Sequence, residues 1–289
     1  MVRADGVATA LLTVRLLDAL GNPVPGQPVQ LTSSGPASDR FAPSMGVTDA
    51  AGIFTATLAA TLAEDKTIQA IAGGITLSTT VLFVAGPAAQ LTFTVQPTDA
   101  IAGVGLSPDV RVAVLDSQNN LVTASTNTVQ LGLANNPSGA ILSGSTSAIT
   151  VTGVASFAGL RLYVVGVGYT LAASSTGLAG ATSAPFTVSA ASPAAFTSTL
   201  SAAPGSVIAD GFSTSALTLT LRDAFGNPIP GASVAWSSSG GASDMLTPAG
   251  SVTDAAGRLS ATIASTLAGA DVVTVTIGSI ALHVTVQFN

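Results

Sequence analysis

The sequence has no cysteine, one histidine (His283), one lysine (Lys66), one glutamate (Glu64) and one tryptophan among its 289 residues. Without cysteine there is no thiol catalysis, disulfide, iron–sulfur cluster or thiolate zinc site. One histidine rules out a multi-histidine metal centre. Charged residues make up only 8%, against roughly 25% in an average domain. Eight Lys and Arg against fourteen Asp and Glu leave a net charge of −6. Nucleic-acid binding rests on clustered cations against phosphate, so no nucleic-acid partner is expected.

Mean hydropathy is +0.61, high enough to raise the question of a membrane. A spanning helix needs about 20 consecutive apolar residues. The longest uncharged stretch, Leu162 to Ala209, is interrupted throughout by Gly, Ser, Thr and Pro. Membrane insertion of this segment is therefore not expected. The residues before Asp5 contain no apolar signal core.

What is present is alternation. Leu12, Val14 and Leu16 alternate with polar residues, as do Leu217, Leu219 and Leu221, and Leu282, Val284, Val286 and Phe288. A period of two marks half-buried strands. Turn clusters punctuate them: Gly21-Asn22-Pro23, Pro25-Gly26, Asp49 to Gly52, Asn119-Asn120 and Asn135-Asn136-Pro137. Ala-rich Leu58 to Ala63 is compatible with one helical turn, and nothing longer is credible as helix.

A repeat organises the chain. Residues 5–84 align without a gap on 210–289 at an offset of 205, with 39 of 80 positions identical. Residues between them form a diverged unit. Its Gly168-Tyr169-Thr170 predicts a buried tyrosine whose hydroxyl reaches backbone. Ala85-Gly86-Pro87 and Ala190 to Pro193 read as short junctions that restrict hinge motion. The expected fold class is all-β: three tandem immunoglobulin-like antiparallel sandwiches, 1–86, 87–192 and 193–289, arranged as a rod. Unit three carries about fifteen residues before Asp210-Gly211, including Ala195 to Leu200 as a first strand. Unit one has only Met1 to Ala4 before Asp5-Gly6, so its first strand reads as missing. An open ladder edge is a template for strand addition. Leu11, Arg15 and Leu17 mark that edge. Leu11 and Leu17 fall on the outward parity, where unit three has Ala216 and Arg222.

The motifs Asp5-Gly6, Asp18 to Gly26, Thr48 to Gly52 and Ala56-Thr57-Leu58, with their partners 205 residues on, resemble the bacterial immunoglobulin-like domains of invasin- and intimin-type surface proteins. The resemblance covers units one and three; unit two is similar to other Ig-like repeats of large bacterial surface proteins, with weaker motifs. It implies a cell-surface or secreted, non-enzymatic stalk or filament segment of an adhesin-like protein. Alternatives are a fibre subunit assembled by strand addition, or a receptor- or glycan-binding module. Expected partners are other copies of the chain or neighbouring Ig-like domains; no ligand is named.

Other candidate sites read as structural. Asp18 and Asp223 read as Asx-turn carboxylates, with calcium ligation at a junction the sharper alternative. Calcium wants six to eight oxygens, and no Asp-x-Asp cluster supplies them. Asp49 and Asp254 open similar turns. Glu64-Asp65-Lys66 reads as a solvated loop, His283 as exposed and unengaged, and Trp236 as core. No Gly-x-Ser-x-Gly elbow exists for a triad with His283. Asn136-Pro137-Ser138 fails as a glycosylation acceptor because of its proline. No catalytic residue, metal site or cofactor is expected.

Overall fold

The computed structural model describes residues 1–36 and 38–289. The fold is all-β, with one 3-10 turn at Gly241–Ser243 among the described residues. Leu58 and Ala59 close the strand Ile53–Ala59, so the helical turn expected over Leu58 to Ala63 is not formed. Phe54, Ala56 and Leu58 alternate inward while the β-branched Ile53, Thr55 and Thr57 face outward, and the strand is sandwiched in register between two neighbours.

In the first 84 residues two sheets face each other. One has three strands: Thr9–Arg15 at its edge, Ile53–Ala59 in the centre, Arg40–Ala42 beyond. The other has five, running from Val2–Arg3 through Ile75–Val84, Asp65–Ala72 and Pro28–Ser33 to Met45–Val47. Ala10, Leu12 and Val14 point inward from Thr9–Arg15 and meet Leu31, Phe54, Leu58, Ile68 and Phe83. Asp65–Ala72 and Ile75–Val84 form a hairpin whose two turn residues, Gly73 and Gly74, both have positive φ. That twist matches the strands and requires glycine or its like.

Residues 206–289 repeat this plan. Thr199–Ala203 pairs antiparallel with Ser215–Thr220, then the chain changes sheet and Ser206–Val207 pairs parallel with Gln287 and Phe288. The first strand is thus split between the two sheets. Trp236 packs against both core clusters of this stretch, as expected for a core residue. The middle stretch has its own core of Val110, Val112, Val114, Phe157, Leu160, Tyr169 and Phe186. Among the described residues, no sheet contains strands from more than one of the three stretches.

The split strand corrects one expectation. Val2 and Arg3 pair parallel with Phe83 and Val84, 205 residues before the Val207–Phe288 pairing. Val2–Arg3 is therefore the counterpart of the second half of that strand, and the half equivalent to Thr199–Ala203 has no counterpart among the described residues. Two residues are too few to show alternation, so their strand character comes from the parallel neighbour alone.

Candidate functional site

Leu11 and Arg15 lie on the edge strand Thr9–Arg15, and its outer ladder has no partner strand among the described residues. Both side chains face outward; Leu11 is 72% exposed. Leu17 sits beyond the strand, in a bridge to Pro23, and is half exposed. In residues 215–220 the same ladder side is filled by Thr199–Ala203, with Ala203 opposite Ala216, the position equivalent to Leu11.

A second constellation recurs three times. Asp18 Oδ1 accepts from the Leu20 and Asn22 N–H groups, and its Oδ2 accepts from Asn22 Nδ2. Asp116 takes the same three bonds from Gln118 and Asn120, and Asp223 from Phe225 and Asn227. The Asx-turn reading holds for these carboxylates. Amide hydrogens reach both oxygens of each one, which favours the ionised carboxylate.

The latter two turns also bond to backbone more than fifty residues earlier in the chain. Asn120 Nδ2 donates to Thr61 O at 2.9 Å, and its Oδ1 accepts from Ala63 N at 2.8 Å. Asn227 Nδ2 donates to Tyr163 O at 2.8 Å, and its Oδ1 accepts from Val165 N at 3.1 Å. Each asparagine amide thus pairs with a carbonyl and with the N–H two residues on, as a neighbouring strand would. The junction is tied as well: Gly86 N donates to Asp116 Oδ2 at 2.7 Å, and Ala191 N to Asp223 Oδ2 at 3.0 Å. Phe225 adds an edge-on contact with Tyr163, ring centroids 5.0 Å apart, and fills the space over Gly103. Tyr169 is fully buried, and its hydroxyl donates to Val164 O at 3.0 Å. The predicted tyrosine contact therefore holds the residue between the two that bond Asn227. Burial pushes the Asp116 and Asp223 carboxyls up, but the asparagine amides, junction N–H groups and turn N–H groups outweigh it. Both are held below the usual aspartate value.

Sequence reasoning missed these joints. The available signal was the recurrence of Asp, then Asn four residues on, at 18–22, 116–120 and 223–227.

A family model described as the bacterial Ig-like domain (group 1) matches residues 1–84 and 197–289, more than half of the chain. The chain belongs to this family. Among solved structures, the bacterial Ig-like chain is similar to FdeC, an Escherichia coli adhesin, at 22% identity and TM-score 0.63. That match covers 99% of this chain and 93% of FdeC. It is also similar to invasin, a bacterial integrin-binding protein, at 19% identity and TM-score 0.53, covering 99% of this chain and 58% of invasin. None of the curated proteins matches the sequence.

Two further expectations about this bacterial Ig-like chain need correction. Lys66 is not in a solvated loop: it lies in the strand Asp65–Ala72 and is completely buried. Its Nζ is 3.0 Å from Asp39 Oδ1 and 2.7 Å from Glu64 Oε1. The reason is parity, since Lys66 shares the inward side with Ile68, Ala70 and Ala72. Burial lowers its pKa, but bonds to Glu64 and Asp39 and their charges outweigh this, so it stands above the ordinary lysine value. The equivalent residue in unit three is Asp271, close to Asp244. Burial, then the Asp244 charge, raises the Asp271 carboxyl above the usual range. His283 is exposed, yet it is engaged: Nδ1 lies 2.9 Å from Thr274 Oγ1 across the final hairpin. Asp49 and Asp254 form the expected turns, each accepting two backbone N–H bonds.

Proposed function

We propose that the chain is a stalk segment of a bacterial surface or secreted adhesin, three Ig-like units (1–86, 87–192, 193–289) held in line. Its work is mechanical and not enzymatic. The observation that carries this reading is the pair of buried joints at Asn120 and Asn227. A chain of loosely tethered beads has no use for buried side-chain amides at each junction. A spacer that must not fold back on itself does, because each joint fixes the direction of the next unit. Family membership and the likeness in fold to FdeC and invasin support the same reading. Small-angle scattering tests it. Strands of about 8 residues at ~3.3 Å each, plus end loops, give three units in line a length of roughly 110 to 130 Å. A compact particle would overturn the stalk.

A second reading draws on the open ladder of Thr9–Arg15. A strand supplied by another segment or another copy fits there, beside Leu11, Arg15 and Leu17. Arg15 at the edge discourages unspecific pairing. Adding the sequence of residues 193–205 ahead of Met1 should stabilise unit one and disperse any oligomer formed through the edge. No change in either would dismiss strand addition.

A further inference from the structure

The Asp116–Asn120 and Asp223–Asn227 turns are buried at joints, whereas the Asp18–Asn22 turn has the same internal hydrogen bonds and is exposed. Three details separate it from an ordinary surface turn. Asp18 Oδ2 accepts one bond, from Asn22, while Asp116 and Asp223 Oδ2 each accept a second from a junction N–H. The Asn22 amide has its Oδ1 acceptor and one Nδ2 hydrogen free among the described residues, the same two groups that Asn120 and Asn227 use on their neighbours. Leu20 is 87% exposed, at the position where Phe225 packs on Tyr163 and Gly103. An apolar tip on a polar, preformed turn suits docking and adds nothing to local stability.

We infer that Asp18, Leu20 and Asn22 form a third interdomain joint, which accepts the loop pole of a further Ig-like unit of the 87–192 kind, placed ahead of it in the same chain. The inference rests on the reading of the units as held in line. The choice of occupant comes from the 205-residue repeat. Unit one repeats unit three, and unit three is seated on residues 163–165. The open ladder of Thr9–Arg15 points to the same preceding segment, since its counterpart Ser215–Thr220 carries Thr199–Ala203 there. Two separate features of unit one, a side-chain plug and a strand slot, thus both fit chain ahead of Val2: the slot fits unit one's own half-strand, and the plug fits the unit before it. The recognition chemistry is fixed: a carbonyl and the N–H two residues on for the Asn22 amide, a junction N–H for Asp18, and a small apolar floor for Leu20.

The test places residues 1–205 directly ahead of Met1, so that Gly205 precedes Met1 as it precedes Ser206. Asn22→Ala is then compared in the extended protein and in the 289-residue chain by calorimetry, with scattering on both. In the 289-residue chain the substitution should shift the unit-one transition by less than about 2 °C, because the turn keeps its backbone bonds. In the extended protein the shift should reach about 10 °C or more, and the two added units should lose their fixed direction. Asn22 lies outside the strand slot, so stabilisation by the added half-strand does not mimic this result. Equal small shifts in both proteins would refute the joint. Concentration-dependent association of separate chains, abolished by Asn22→Ala, would overturn the in-chain occupant in favour of a second copy. If Asn120→Ala leaves the scattering of the 289-residue chain unchanged, the in-line reading itself fails, independently of Asn22.

Discussion

Replacing Asn227 by alanine removes two hydrogen bonds to the middle stretch, to Tyr163 O and Val165 N, and the bond that its Nδ2 gives to Asp223. Asp223 is fully buried and its ionised form depends on those donors. Each neutral bond contributes about 1 kcal/mol net, and one to a charged group about 1.5 to 3. The expected loss is therefore about 3 to 5 kcal/mol, concentrated in unit three. At roughly 4 to 8 °C per kcal/mol for a unit of this size, its transition should fall by at least about 12 °C. The assay is specific, because Trp236 is the sole tryptophan and packs between the two core clusters of unit three. Its fluorescence in urea reports that unit alone. Asn22→Ala is the control, followed by calorimetry because residues 1–86 hold no tryptophan; it breaks the same local bond on an exposed carboxylate and, among the described residues, has no bond to another stretch to lose. If the two substitutions cost their units the same, the joint at Asn227 contributes nothing, and its hydrogen bonds merely replace bonds to water.

Lys66→Met should destabilise unit one by about 3 to 5 kcal/mol by stranding the buried Asp39 carboxylate; urea unfolding of Lys66→Met with Asp39→Leu should recover most of the loss. Asp271→Asn should stabilise unit three at neutral pH. The Asp271 pKa is raised in the fold, so its ionisation works against folding, and the gain should vanish below about pH 4. The carboxyls of Asp116 and Asp223 are depressed, so their contribution is complete above about pH 4. It is lost as pH falls through their folded values. Scattering between pH 5 and 2 should show the joints loosening at the acid end, and a stiff particle throughout would contradict the assignment.

Much of the fold follows from local chemistry. Alternation at Leu12, Val14 and Leu16 specifies strands because a period of two puts one apolar face inward. The 205-residue repeat requires the two ends of the chain to share a plan, and Tyr169 announces its own backbone contact. The Asp and Asn spacing specifies the turn for the same reason, since an Asx carboxylate captures the N–H groups two and four residues on. The sequence of Lys66 carried a signal that charge obscured, its inward parity with Ile68.

Tertiary structure decided the rest. The same Asp-to-Asn turn is exposed at residues 18–22 and buried at 116–120 and 223–227, and nothing in five residues of local sequence distinguishes those outcomes. The difference arises because the free amide groups of an asparagine can bond either water or a neighbour's backbone. Only the stacking of one unit on the next chooses between them. Likewise the pairing of Val2 and Arg3, and the open side of Thr9–Arg15, are properties of which strands lie alongside, and the strands themselves do not encode them.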